Sequence, residues 1–547
     1  MKLRLVCLGV VFAGLVAADP ATSQVPPLVP PEQPQSSPPQ PSPNNATIKV
    51  TSSLVFLDVT VLDKKGRPVT SGLTKDDFTI TEDKTPQTIF SFEAPDVHNA
   101  DASGEGNNPN GKAPATILVL DLLNSRFEDF AFIRQEARDF FKTQPAKLSS
   151  PTELLVVGNK SLEMLQGFTR NKDDLLDALE HAPHDLPYKE NGSFGLERFA
   201  QSIDALDQIA LQNKGVPGRK NIIWMGHGAP NVFLDTLYFT DKSLDTLKRI
   251  VHSMTNALVD ARVSLFVIYP GIRAYNTPAS FPFSATQATI DIRDDPFAGD
   301  VNFGVFANET GGKLFYNRND LKKEIAESKE LGSKYYTLTY QPTSVVQDGS
   351  FQRVRVTLRN PDLRVVTKAG YYAPDANSPV DPQQQLMMRL AEAAQSTIPF
   401  DALGVVLSDV KRHPDARTAE CTVELKSKNV TFEPFTNGAG VAQLIVAAAS
   451  LDQFSNILAY RTQRITLLSH AENPTNLPDI VSRFPIYVPV PRKTRRVRVT
   501  VQIDDAGGRI GSAELSRATI DAAPASDTPR PQLQQRPPTG QNGLLNP

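Results

Sequence analysis

ATILVLDLLNS, residues 115–125, is an apolar run that breaks off at Asp121, and after Arg126 it gives way to FEDFAFIRQEARDFFKTQ, residues 127–144. The first stretch shows no apolar/polar alternation, which fits a parallel strand buried on both faces. In the second, Phe130, Ile133, Ala137, Phe140 and Phe141 recur at helical spacing. The same change of period repeats downstream. TELLVVGNK (152–160), KNIIWMG (220–226), VSLFVIYPG (263–271) and KLFYN (313–317) read as strands. KDDLLDALEHA (172–182), LERFAQSIDALDQIALQ (196–212), KSLDTLKRIVHSMTNALVDA (242–261) and NDLKKEIAESKEL (319–331) read as helices, with a further short one ending at Thr310. Strands alternating with helices over residues 112–334 predict a doubly wound, mostly parallel sheet with helices on both faces. Such sheets bind ligands at the carboxyl ends of their strands, here the ends closing at Asp121, Gly158, Gly226 and Tyr269.

The flanks have period two. In residues 48–95, Val55, Leu57, Val59 and Val61 alternate with Phe56, Asp58 and Thr60 before a turn at Asp63–Gly66, and DFTITED and TIFSFE follow. Residues 335–375 alternate again in YYTLTYQPT, QRVRVTLRN and RVVTKAGYY. These two segments are expected to form one β-sandwich split around the inserted α/β domain; two small separate modules are the alternative. Residues 385–521, with runs such as AECTVELKS, VAQLIVAAAS and RRVRVTVQIDD, predict a second β-sandwich. There the basic run RKTRRVRV reads as a solvated strand face, with Val497 and Val499 pointing inward, rather than as a nucleic-acid site. The fold class is therefore multidomain α/β plus β.

With 547 residues, 40% of them hydrophobic, the chain can bury several cores, and a net charge of -3 gives no global field for nucleic acid or an anionic membrane. Lys2 and Arg4 precede an apolar run from Leu5 to Ala18 that ends in small residues, the pattern of a cleaved export signal over residues 1–18. That run is shorter than the ~20 residues needed to span a bilayer, and no later stretch is apolar enough, so no membrane span is expected after cleavage. Secreted, periplasmic or cell-envelope placement follows. Pro-rich residues 19–47 and the tail 522–547 are expected to be disordered. Cleavage would leave Cys421 as the one cysteine, in an alternating run where a buried small hydrophobe is expected.

Asp121 and Ser125 bring a carboxylate and a hydroxyl to one strand end, oxygen chemistry suited to a hard cation such as Mg²⁺ or Ca²⁺. On this Asp-Leu-Leu-Asn-Ser segment and on the order of elements, residues 114–334 resemble a von Willebrand factor A domain, whose metal-ion adhesion motif is Asp-x-Ser-x-Ser. The resemblance implies a binding face with metal ligands at Asp121 and Ser125. Ser193, in Asn191-Gly192-Ser193, is the nearest counterpart of the family's threonine ligand. Leu123 replaces the middle serine, and Gly226-His227-Gly228 replaces the family's Thr-Asp-Gly turn. Two expected oxygens are lost, so the resemblance implies a degenerate site with weak metal binding or none. Together with VTVLDKKGRPVTSGLTKDDFTITEDKTPQTIFSFE, GRKNIIWMGHGAP and ETGGKLFYNRNDLKKEI, it narrows over residues 50–375 to the acidobacterial VWFA-related domain family, which implies an envelope or secreted protein without a defined activity.

The function expected is binding of a protein partner or extracellular ligand, with Asp121, Ser125, Ser193 and His227 as candidate contacts and no enzymatic activity. His227 is the one catalytic-looking residue. It has no marked nucleophile beside it in sequence and reads as an exposed turn histidine; His181, His184 and His252 have no metal-ligand spacing. A metal-independent envelope scaffold is the alternative, and a hydrolase using His227 a further one. The aromatic loop carrying Tyr275, Phe281, Phe283 and Phe297 reads either as a docking surface or as a cover over its own sheet.

Overall fold

Strands that are apolar on both faces need cover on both, and helices supply it here. In this computed structural model the central sheet contains β1 Ala115–Asp121, β2 Lys147–Val157, β3 Leu162–Asn171, β4 Lys220–Met225, β5 Val263–Pro270 and β6 Lys313–Arg318. Their order is β6-β5-β4-β1-β2-β3, parallel throughout except for β3, which runs antiparallel to β2 at the edge. The helices are α1 Phe127–Lys142, α2 Lys172–Glu180, α3 Gly195–Asn213, α4 Asp241–Asp260, α5 Phe303–Glu309 and α6 Leu321–Ser333. The structure describes residues 54–99, 113–159, 161–183, 195–229, 241–270, 296, 303–344, 346–376, 382–413, 417–426, 430–434, 440–469, 481–504 and 507–526.

Side-chain alternation along each strand divides the core into two layers. Ile117, Val119, Ile222, Trp224, Leu265 and Val267 face α3, α4 and α5 through Phe199, Ile203, Leu206, Met254, Leu258 and Phe306. Leu118, Leu120, Ile223, Met225, Phe266 and Ile268 face α1, α2 and α6 through Phe130, Ile133, Phe141, Leu175 and Ile325. The edge strand β3 is not among the expected strands. Its middle is only half-buried and its register with β2 is interrupted by bulges, so LEMLQGFTRN carries no clean period.

Strands from before and after this domain pair with each other. Val55–Leu62 lies between Arg364–Val366 and Tyr336–Tyr340, with Ile89–Glu93 beyond; a second sheet orders Gly370–Tyr372, Phe351–Leu358, Phe78–Glu82 and Thr85–Gln87. Leu57, Val59, Ile80, Leu338 and Val354 fill the space between the two sheets.

The C-terminal region sets the sheet Val406–His413, Thr418–Lys426, Val481–Pro489 against one built on Gly440–Leu451, which pairs with Ile457–Ser469 and with Arg496–Ile503, itself paired with Ile510–Ser516. Cys421 is buried in this core, and burial pushes its thiol up to about 12. The all-β expectation leaves out two helices, Arg517–Ala522 and Pro382–Gln395, of which the second covers the outer face of the larger sheet with Leu390 and Ala394 on Ile445, Ala447, Ala449 and Leu451. The same cover corrects the solvated reading of the basic run. Val497 and Val499 do point inward, but Arg498 is only 2% exposed, trapped under that helix and bonded to the carbonyls of Ala393 and Ile398. At the start of the expected tail 522–547, Ala522 ends the helix Arg517–Ala522, and Pro524 and Ser526 are hydrogen-bonded to the Arg412 backbone. Phe351, Tyr372, Ala393, Phe400 and Ile510 join one core with Ile222 and Trp224, so both flanking modules are packed onto the α/β domain.

Candidate functional site

The strand order reverses between β1 and β4, and Asp121 stands there at the end of β1. Its side chain is fully buried. Oδ1 accepts from the Asn124 amide nitrogen at 2.8 Å and from Asn124 Nδ2 at 3.2 Å. Oδ2 accepts from Trp224 Nε1 at 3.0 Å and from the Gly228 amide at 2.8 Å. Burial raises the Asp121 carboxyl to about 6, against the pull of the Trp224, Asn124 and Gly228 donors. Asn124 Nδ2 donates onward to Ser202 Oγ of α3 at 3.0 Å. One carboxylate thus ties β1, the turn after β4 and, through Asn124, a helix on one face of the sheet.

The two glycines around His227 are required by this packing. A Cβ on Gly226, whose φ is +145°, would fall 2.3 Å from Asp121 Cβ; one on Gly228, at φ +67°, would fall 2.7 Å from the Phe303 ring. Their small size admits Asp121 and Phe303, not a ligand approaching an exposed histidine. His227 is half-buried, its side chain 27% exposed, with its ring stacked on Tyr269 at 4.2 Å and its Nε2 3.6 Å from Asp129 Oδ2. The expectation of an exposed turn histidine is corrected accordingly. Tyr269 in turn lies 5.1 Å from Tyr316, and burial, with Tyr316 and Asp129 nearby, pushes its hydroxyl up to about 12. Phe127 at the start of α1 and Tyr316 are exposed.

Of the four expected contacts, Asp121, Ser125 and His227 are brought to one end of the sheet, whereas Ser193 lies outside the described residues, as do His184, Tyr275, Phe281, Phe283 and Phe297. Ser125 Oγ is buried without a hydrogen-bond partner among the described residues, 3.0 Å from where a Gly226 Cβ would sit. Leu123 is buried in the core. His181 is exposed, and His252 stacks on Tyr372 at 3.7 Å.

This set does not fit a divalent cation. A carboxylate has about four lone-pair positions, and four donor groups, the Asn124 amide nitrogen, Asn124 Nδ2, Trp224 Nε1 and the Gly228 amide, already occupy those of Asp121. Ser125 adds one hydroxyl, and among the described residues no group of three or more His, Cys, Asp and Glu side chains is placed to hold a metal. Trp224, Asn124 and Asp129 were not legible as site residues. Trp224 reads as one more apolar residue of a buried strand, and only its position relative to Asp121 reveals the indole N–H as a donor.

The strand order and the antiparallel edge define the class, a doubly wound α/β domain. Among solved structures, the chain is similar to the SpRpn10 VWA domain, at 16% identity over 40% of this chain and 97% of that one, with a TM-score of 0.22. It is also similar to the manganese-loaded TRAP protein of Plasmodium vivax, at 13% identity over 48% of this chain and 96% of that one, with a TM-score of 0.26. No protein-family model matches the sequence, and no curated protein does. The fold assignment rests on the strand order rather than on these likenesses.

Proposed function

We propose that this chain is an exported, non-enzymatic protein of the von Willebrand factor A-like type, related to the acidobacterial VWFA-related domain family, that binds a protein partner through the carboxyl end of its central sheet. The rim at that end carries the reading: Tyr316 is exposed beside Tyr269, on which His227 is stacked, and Phe127 is exposed at the start of α1, the helix that follows β1. Aromatic side chains on a rigid scaffold are the residues that dominate binding energy at protein interfaces. The export signal at residues 1–18 supports a partner outside the cytoplasm. Among the described residues no helix is long and apolar enough to cross a membrane. His227 is read as a binding contact, its Nε2 3.6 Å from Asp129 Oδ2 and its ring stacked on Tyr269.

Photo-crosslinking amino acids placed at Phe127, at Tyr316 and, as a control, at exposed Phe454 of the C-terminal module would test this in the native cell. Crosslinks to one protein from the first two positions and not from Phe454 are expected. Equal labelling from all three would sink the reading. A scaffold role is the second reading, favoured by the core that runs without a break from the α/β domain into both flanking modules. It predicts crosslinks to a stoichiometric envelope component.

A further inference from the structure

The clearest departure from a cation-binding strand end is the tryptophan. The site residues reached by the resemblance, Asp121 and Ser125, supply oxygens, but the shorter side-chain contact to Asp121 Oδ2 is the Trp224 indole at 3.0 Å, 103 residues later in the chain, with Asn124 Nδ2 at 3.4 Å. Trp224 is fully buried, with its ring edge-on to Phe303 at 4.7 Å, so the indole that carries the N–H is held in place by packing. The Gly228 amide supplies a further donor to the same oxygen, and Gly226 provides the close approach that both require. Among the described residues the hydrogen bonds to the carboxylate come from nitrogens, which favour an anion and compete with any cation for the same lone pairs.

We infer that the Trp224 indole N–H and the Gly228 amide take the place of a cation at Asp121, making this strand-end carboxylate a permanently filled internal tie. The upper face then keeps its shape with or without divalent ions, and a partner meets the aromatic rim rather than an ion with an open coordination position. That last consequence rests on the binding role proposed above; the tie itself does not.

The chain contains a single tryptophan, so an amide-correlation NMR spectrum of the full chain labelled with ¹⁵N at the indole contains one side-chain resonance, reporting directly on this bond. The resonance is expected to survive excess Mn²⁺ and to be unchanged by EDTA, and Asp121→Asn is expected to move it. A saturable, paramagnetic loss of the signal on adding Mn²⁺ to the wild type, absent in Asp121→Asn, would overturn the inference. Should Asp121→Asn fail to fold, Trp224→Phe keeps the test decisive. Losing the bond is expected to lower the Tm by roughly 3–6 °C in EDTA. An unchanged Tm for Trp224→Phe, or a wild-type Tm that rises with Mg²⁺ or Ca²⁺, counts against the tie. None of these readouts involves a partner, so they stand or fall separately from the crosslinking at Phe127 and Tyr316.

Discussion

Arg262, which follows α4, grips Asp58 of the N-terminal sandwich with two nitrogens across 204 residues of chain: Nε reaches Oδ2 at 3.1 Å and Nη2 bonds Oδ1. Thr337 Oγ1 adds a donor at 2.9 Å. The side chains are only 19% and 11% exposed. Burial by itself would raise the Asp58 carboxyl, but the Arg262 guanidinium outweighs it and holds the group below the usual carboxylate range. Removing one member leaves the other buried and uncompensated, a loss of about 3–5 kcal/mol. Asp58→Ala is therefore expected to lower the urea midpoint sharply, and Asp58→Leu combined with Arg262→Met to recover most of the loss. Because the folded value is depressed, this contribution is present above about pH 4 and disappears as pH falls through the folded value. Acid unfolding of Asp58→Asn should lack that component; superimposable acid curves for the two proteins would reject it.

Glu153 on β2 behaves in the opposite sense. It is fully buried, Oε1 accepts from Gln212 Nε2 at 3.0 Å, and Oε2 has no partner among the described residues. Burial, with Asp401 adding like charge, raises its carboxyl to about 8. The folded protein therefore holds a proton that the unfolded chain releases near 4.5, so stability from this group is complete below 4.5 and is lost as pH rises through 8. The slope is up to about 1.4 kcal/mol per pH unit. Glu153→Gln should match the wild type near pH 5 and exceed it at pH 8.5 in urea midpoint. Parallel profiles across that range would show that Glu153 does not titrate in this way.

The central sheet was legible because its strands are apolar on both faces and its helices carry a separate period, signals that survive any tertiary context. What escaped was set by neighbours distant in sequence. Leu162–Asn171 is a half-buried, bulged edge strand with no alternation to read. Strand alternation placed Arg498 on the outer face correctly, yet that face is roofed by Pro382–Gln395, about 100 residues earlier. At the site, Asp121 was visible from its local motif. Its partners Trp224 and Gly228 lie 103 and 107 residues on and belong to a strand and turn with other apparent purposes.

Gly226 offers a local test of that site. Alanine there would combine a φ of +145° with a Cβ 2.3 Å from Asp121 Cβ, which cannot swing away because the carboxylate is held on both oxygens. Gly66 has φ +77° in open space, with nothing within 4 Å of an added Cβ. Backbone strain alone costs about 1–3 kcal/mol, and overpacking adds a similar amount. Gly226→Ala is expected to lower the Tm well beyond Gly66→Ala and to shift the Trp224 emission, whereas Gly66→Ala should leave the emission alone. Equal Tm losses would mean that the turn relaxes away from Asp121.

Arg498 closes the end of the helix Pro382–Gln395. Its Nη1 donates to the carbonyls of Ala393 at 3.2 Å and Ile398 at 3.1 Å and also to that of Ser396, while Nε donates to Glu514 at 2.6 Å. A guanidinium can serve several carbonyls of a frayed helix end and a carboxylate together, which an ammonium cannot. Beyond it, Ser396 and Thr397 bond Gln208 of α3, so the same few residues join this helix to the α/β domain. Removing the guanidinium strands these carbonyls in a buried site, each costing about 1–3 kcal/mol. The loss should fall first on the helix, because its apolar hold on the sheet is limited to a few side chains. Arg498→Met is therefore expected to admit limited proteolysis within 382–398 under conditions where the central domain stays intact, with Arg498→Lys intermediate. If Arg498→Met is cleaved at the wild-type rate, the helix is held by its apolar contacts, and the buried charge is dispensable for docking the C-terminal module.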